Sequence, residues 1–351
     1  MDATFRLFPW DVDGDRTAAA RLRELGVTRV ALAATYHGAR LITPRHPRHR
    51  IVDLPASASY TAEASPLPRG RFSFERARDA LCSAGIAVET WAVVGHLDGD
   101  SDGVPRVVNA FGDRLEHAPC LTQASSREVL HGIVRAAARV ARGGMLHLEA
   151  LGWQSLDHGG LHDKLHGADL DERGRELLQL CTCTACAADL DVDRADLEAA
   201  VRWALDTGAD AGAGGTVVEA ALRHRADVAT GLAGELVAAA AAAGVTAVSL
   251  SVEDAGALDR SDAGQAGERP VVERLVDCWG GVDRGIAALD RASGGTAYVD
   301  VLSGDPAAFA SHWRRLAEHG ADRLHVYHAG LASTARLQAA IAAVSVAARV
   351  A

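Results

Sequence analysis

The densest chemistry in this sequence is a run of three thiols, Cys181-Thr-Cys183-Thr-Ala-Cys186. Such thiols can converge on one tetrahedral ion but are too crowded for two ordinary disulfides. A fourth ligand is required. Cys120 is the best candidate, because Cys82 belongs to a helix ending and Cys278 to a strand, where a thiol reads as a small buried apolar residue. A closed four-thiolate zinc has no open position for water, so it would pin loops together without performing chemistry. A redox pair at Cys183 and Cys186, or three idle thiols, are the alternatives. The other reactive groups follow short apolar runs: Asp11, Tyr36, His37, His96, Glu149, Glu253, Asp254, Asp300, His325, Tyr327 and His328.

Those runs are the elements that must position the chemistry. Eight read as strands: Phe5–Trp10, Thr28–Ala34, Ile86–Val94, Met145–Ala150, Thr246–Val252, Arg274–Trp279, Thr296–Leu302 and Arg323–Tyr327. Alanine-rich helical stretches alternate with them, and Gly26, Gly85 and Gly320 end helices just ahead of strands. Eight strand and helix units in 351 residues predict a single α/β domain over residues 1–351, a (β/α)8 TIM barrel. A doubly wound sheet would share the alternation but usually carries a glycine-rich phosphate turn after its first strand, and Pro9-Trp10-Asp11-Val12-Asp13-Gly14 is not one. The surplus length falls into long βα loops after strands 2, 3 and 4, on the face where barrel active sites are built. The third of these is expected to form a cysteine-rich, zinc-binding insertion at about 152–206.

Two loops read as substrate-binding surface. After strand 2, Tyr36 and His37 lead into Arg45 and His46 between prolines, and this concentration of positive charge hints at an anionic group on the ligand. After Glu149 come Trp153, suited to stacking on a sugar face, and Asp157, His158, His162 and Lys164, suited to hydroxyls. Asn109 sits in a turn where it can meet a hydroxyl.

Three stretches carry a resemblance: Phe111-Gly-Asp-Arg114 leading to Cys120-Leu-Thr-Gln-Ala-Ser-Ser-Arg127, Leu178-Gln-Leu-Cys181-Thr-Cys183-Thr-Ala-Cys186, and the last strand, Gly320 to Leu331. Together they resemble the family 42 β-galactosidases and related glycosyl hydrolases, across the barrel only. The resemblance implies zinc on Cys120, Cys181, Cys183 and Cys186, an acid/base glutamate at Glu149, and a nucleophile on strand 7, where Asp300 is the carboxylate. Leu148 stands where the family has asparagine before that glutamate, so the family's substrate does not carry over.

Glycoside hydrolysis needs two carboxyl groups, one neutral to protonate the leaving oxygen and one ionised to attack or to activate water. Glu149 follows an apolar strand, where partial burial would raise its pKa toward an acid's working range. Asp300 is the expected partner, on the same side of its strand as Tyr298, with Glu253 its rival. Substrate contacts are expected from His96, His325, Tyr327 and His328, although His325 and His328 fall on opposite faces unless the strand end twists. The expected reaction is retaining hydrolysis of a sugar or glycoside. A metal-dependent hydrolase or isomerase built on the histidines is the second reading, and a non-hydrolytic carbohydrate-binding or biosynthetic barrel the third.

Composition removes other classes. With 36 basic and 46 acidic side chains the net charge is −10, which gives no footprint for nucleic acid or an anionic membrane. The first residues, Met1 to Arg6, carry no basic flank ahead of an apolar stretch, and the cysteines are not spaced as a disulfide framework. The expected location is cytoplasmic, the expected partner a small molecule or oligosaccharide, and a homo-oligomer stays open.

Overall fold

The computed structural model describes residues 1–99, 103–156, 169–208, 213–260 and 270–350. Its centre is a closed barrel of eight parallel strands. They are β1 (Asp2–Leu7), β2 (Arg29–Tyr36), β3 (Ala87–Val93), β4 (Met145–Glu149), β5 (Ala247–Ser251), β6 (Val271–Asp277), β7 (Gly295–Asp300) and β8 (Ala321–Tyr327). Each pairs with its sequence neighbour, and β1 pairs with both β2 and β8, which closes the ring and leaves no exposed edge. This is the (β/α)8 TIM barrel that the alternation predicts.

The helix, glycine, strand punctuation works as expected. Gly26, Gly85 and Gly320 take φ of 103°, 76° and 91°, the left-handed region that only glycine adopts without cost. The first strand differs from its expected span. It ends at Leu7, and Pro9–Asp11 form a 3₁₀ turn, because Pro9 has no N–H for a ladder and the Asp11 carboxylate accepts the Phe8 N–H at 2.8 Å. Within the observed strand Thr4 and Arg6 alternate onto the barrel interior, where they reach Glu89 and Glu149.

The long segments after β2, β3 and β4 are more structured than loops. The first carries an antiparallel hairpin, Ala39–Ile42 with Ile51–Leu54, and the second another, Arg106–Val108 with Arg114–Pro119. After β4 come short helices at Glu172–Leu178, Thr184–Asp189 and Arg194–Thr207, then the 30-residue helix Ala213–Ala242. Asp171 and Asp193 cap two of these helices by accepting the Gly174 and Ala195 N–H groups. They bury a satellite core of Leu177, Leu180, Leu197, Val201 and Val218 against Ala110 of the second hairpin. Among the described residues, no helix is long and apolar enough to cross a membrane.

Barrel interiors of this type are usually filled by branched aliphatic side chains. This one is not. The inward positions carry Thr4, Glu89, His147, Ser249, Glu273, Thr296 and His325 in a lower layer, and Arg6, Trp91, Glu149, Tyr298 and Tyr327 above them.

Candidate functional site

The upper layer opens at the C-terminal mouth and is organised around Glu149, the last residue of β4. Its Oε2 accepts three donors: Arg6 Nη1 at 2.6 Å, the Trp91 indole N–H at 2.9 Å and the Tyr298 hydroxyl at 3.4 Å. These come from β1, β3 and β7, so barrel closure alone brings them together. The Arg6 side chain is 1% exposed and that of Glu149 26%. The Arg6 guanidinium also sits over aromatic faces, its Cζ 4.5 Å from the Tyr298 ring centroid and 4.7 Å from that of Trp91. Glu149 is therefore fixed by one oxygen, and Oε1 takes part in none of these three contacts.

Aromatic rings wall the space around it. The Tyr36 and Tyr327 hydroxyls are 3.3 Å apart, and Trp279 stacks on Tyr327 at 5.1 Å. His37 stacks on Tyr36 and on His96, at 4.1 Å in each case. Burial, then the neighbouring His96, pushes the His37 imidazole down to about 4, so it is neutral at pH 7. His96 Nε2 lies 3.1 Å from Asp98 Oδ2, and His37, His96 and Asp98 form a group whose donor atoms lie within 4.8 Å of one another.

Asp300 ends β7. Burial would raise its pKa, yet contacts from His328 Nδ1 at 3.1 Å, the Ser303 hydroxyl at 2.7 Å and the Leu302 and Ser303 amides hold it well below the usual carboxylate range. The twist needed to bring His328 round does occur. His328 adopts φ 59°, which turns its ring onto Tyr327 at 3.6 Å and toward Asp300. Ala150, directly after Glu149, has φ 63°. Two non-glycine residues in the left-handed region thus follow β4 and β8 at the mouth, where such strain tends to gather.

The remaining expected residues scatter. His325 is fully buried one layer below the mouth. Glu253 is exposed in the first turn of the helix Val252–Arg260, while its neighbour Asp254 bonds Ser251 Oγ at 2.9 Å and is pushed by burial up to about 6. Arg45 donates to the carbonyls of Ala329, Gly330 and Ala332, so it clamps the turn after β8. Beneath that turn lies Asp11, whose Oδ1 is sealed from water and whose carboxyl is raised by burial to about 7. His46 stacks on His49 at 3.6 Å. The Asn109 Oδ1 accepts the Phe111 and Asp113 amides, which makes it the turn residue of the second hairpin. Trp153 donates to the Arg225 carbonyl at 2.8 Å and packs beside the cysteines. Asp157, His158, His162 and Lys164 lie outside the described residues.

The four cysteines converge. Cys120 Sγ is 3.8 Å from Cys183, 3.7 Å from Cys186 and 3.7 Å from Cys181, and Cys183 is 3.7 Å from Cys186. Disulfide sulfurs would be ~2.05 Å apart, whereas two thiolates bound tetrahedrally at ~2.3 Å lie roughly 3.8 Å apart. This group can hold a metal ion. Cys120 follows the second hairpin and the other three belong to the segment after β4, so a bound ion would tie two insertions together.

Sequence reasoning missed Arg6, Trp91 and Asp98. Alternation in Ala3-Thr4-Phe5-Arg6-Leu7, with polar residues at every second place, is the signal for Arg6, but an expected strand reaching Trp10 obscured it. Trp91 read as an ordinary apolar strand residue.

No protein-family model matches this chain, and no curated protein is significantly similar to it in sequence. Solved structures do match. The glycoside hydrolase domain of PgaB (BpsB) from Bordetella bronchiseptica superposes with a TM-score of 0.50 at 15% identity, over 94% of this chain and 95% of that one. A β-N-acetylhexosaminidase from Bacteroides fragilis gives 0.47 at 10% identity, over 97% and 65%. An L-ribulose 3-epimerase gives 0.43 at 12% identity, over 100% and 95%. At 15% identity the first of these likenesses is one of fold.

Proposed function

We propose that this barrel is a glycosidase-like hydrolase acting on a sugar or glycoside, with Glu149 as its reacting carboxyl group. The observation that carries the reading is the half-anchored state of Glu149. Three donors fix Oε2 below a partly exposed Trp279, which leaves Oε1 to meet a substrate and gives a ring suited to the apolar face of a sugar. In the acid/base role Glu149 protonates the glycosidic oxygen and later takes a proton from water, while a second, ionised carboxylate attacks the anomeric carbon. Asp300 is the proposed second carboxylate, since its hydrogen bonds keep it ionised. His328 and Ser303 position it, and both contacts must loosen for attack. The loop arginine Arg45 is engaged by carbonyls, so the reading does not draw on an anionic substituent. We further assign zinc to the four thiolates, as a staple with no part in the reaction.

A second reading, a metal-dependent hydrolase or isomerase, rests on the His37, His96 and Asp98 group at the same mouth. The parallel stacking of the two imidazoles, 3° between planes, suits a ring-lined subsite better than two ligands converging on one ion.

The test is release of the aglycone from a panel of aryl α- and β-glycosides, including uronic-acid and amino-sugar members, with Glu149→Gln in parallel. Turnover by the wild type that is lost in the variant and survives mild chelation supports the glycosidase. Turnover abolished by chelation while the fold persists favours the metal-dependent reading. No turnover of any glycoside by folded wild type overturns the first proposal.

A further inference from the structure

Beneath the mouth the barrel holds a second constellation that the proposed reaction does not use. His147 of β4, Glu273 of β6 and His325 of β8 face one another in the lower layer, and their donor atoms lie within 4.8 Å of one another. Both imidazoles are fully buried and the Glu273 side chain is 12% exposed. Ser249 of β5 is the cross-strand partner of both His147 and Glu273, and is itself fully buried.

Sealed polar groups are expected to be hydrogen-bonded, and these are not. His147 Nδ1, both nitrogens of His325, Glu273 Oε2 and Ser249 Oγ have no hydrogen-bond partner. His325 Nε2 and Glu273 Oε2 are 3.3 Å apart, but outside the geometry of a hydrogen bond. That separation is compatible with two lone pairs directed at one ion. Two ligands bound tetrahedrally at ~2.1 Å lie roughly 3.4 Å apart, and no pair bound at that distance lies more than ~4.2 Å apart.

The far side of each ligand is tied. His147 Nε2 lies 2.8 Å from Glu89 Oε2. With Nε2–H donating to that carboxylate oxygen, Nδ1 keeps its lone pair for a metal. Glu89 Oε1 is in turn held by Arg29 at 2.8 Å. Glu273 repeats the pattern: Oε1 takes Thr296 Oγ1 at 3.0 Å and Arg323 at 3.2 Å, leaving Oε2 facing inward. A carboxylate behind an imidazole, and donors behind the outer oxygen of a glutamate, are the outer contacts that orient metal ligands.

We infer that His147, Glu273 and His325 form a binding site for a divalent first-row transition metal inside the barrel, with a water held by Ser249 in the fourth position. Two imidazoles and one carboxylate are a zinc-type donor set. A dication also suits the local charge. Glu89, Glu149 and Glu273 place three carboxylates in the interior against one fully buried guanidinium, Arg6, while Arg29 and Arg323 reach in from the rim with side chains 37% and 30% exposed. The ion would stiffen the layer on which Arg6 and Glu149 rest.

The site is tested by metal analysis of the purified full chain, with the thiolate centre as internal reference. Wild type is expected to carry two equivalents and Cys186→Ser, Glu273→Gln and His325→Gln one each. Cobalt(II) loaded into Cys186→Ser is expected to give a visible ligand-field spectrum without thiolate charge transfer. Anomalous scattering from wild-type crystals needs no variant and is expected to show a peak among His147, Glu273 and His325. A wild type whose only peak lies at the cysteines, or whose metal content Glu273→Gln and His325→Gln leave unchanged while folded, overturns the proposal. The lower layer would then hold water.

Discussion

At the barrel mouth Glu149 keeps 26% of its side chain exposed, while Glu273, one layer down, keeps 12% and faces two imidazoles that see no solvent. Both are glutamates on inward positions of barrel strands, and both have one oxygen tied by an arginine. What differs is the other oxygen. That of Glu149 is left for something arriving through the mouth, whereas that of Glu273 is aimed at groups already sealed in with it. Height along the strand thus assigns the role: near the strand C-terminus a carboxylate can meet a substrate, and lower down it can serve only a resident ligand or a proton.

The sharpest test of this division is Glu149→Gln, which is expected to lower glycoside turnover roughly 10²–10⁴-fold at an unchanged melting temperature. An equal loss from Glu273→Gln with its melting temperature also unchanged would break the division. Next in size is Arg6→Met. Removing the guanidinium strands a partly buried carboxylate, so we expect a stability loss of about 1–3 kcal/mol, below that of a sealed pair, and a shifted pH profile of turnover. Chemical denaturation and a pH series measure both.

Cys186→Ser is expected to release the metal proposed at the thiolates and lower the melting temperature, with kcat falling only a few-fold, because a staple there would hold insertions and touch no reacting atom. A loss of turnover as large as that of Glu149→Gln would move the thiolates into the reaction. Asp11 gives a smaller, pH-dependent effect. Its carboxyl is raised to about 7 in the fold, so the folded state holds its proton more tightly than the unfolded chain, and stability is expected to fall as pH rises from about 4 through 7. Asp11→Asn should flatten that slope in denaturation curves. Smallest is Tyr298→Phe, which gives up one long contact to Glu149 and should cost less than tenfold in turnover.

Much of this was legible in the sequence because it is local. Strand runs, glycines at helix ends and three thiols within six residues depend on neighbours along the chain, and Cys120 could be chosen by excluding Cys82 and Cys278. Glu149 was legible as a polar residue closing an apolar run. Asn109 and Arg45 mark the limit of this reasoning. Residue type suggested ligand contact for each, but Asn109 folds back on its own turn and Arg45 reaches the turn after β8.

Tertiary structure alone decided what each carboxylate faces. Arg6, Trp91 and Tyr298 meet Glu149 across separations of 143, 58 and 149 residues, and only the closing of β1 onto β8 and β2 puts them on one oxygen. The interior layers likewise depend on strand stagger, which no local pattern encodes. The sequence by itself determined a barrel, a set of thiols and a list of polar strand ends. The register of eight strands decided which of these groups share a layer, because one step along a strand turns a side chain from the interior to the outer face.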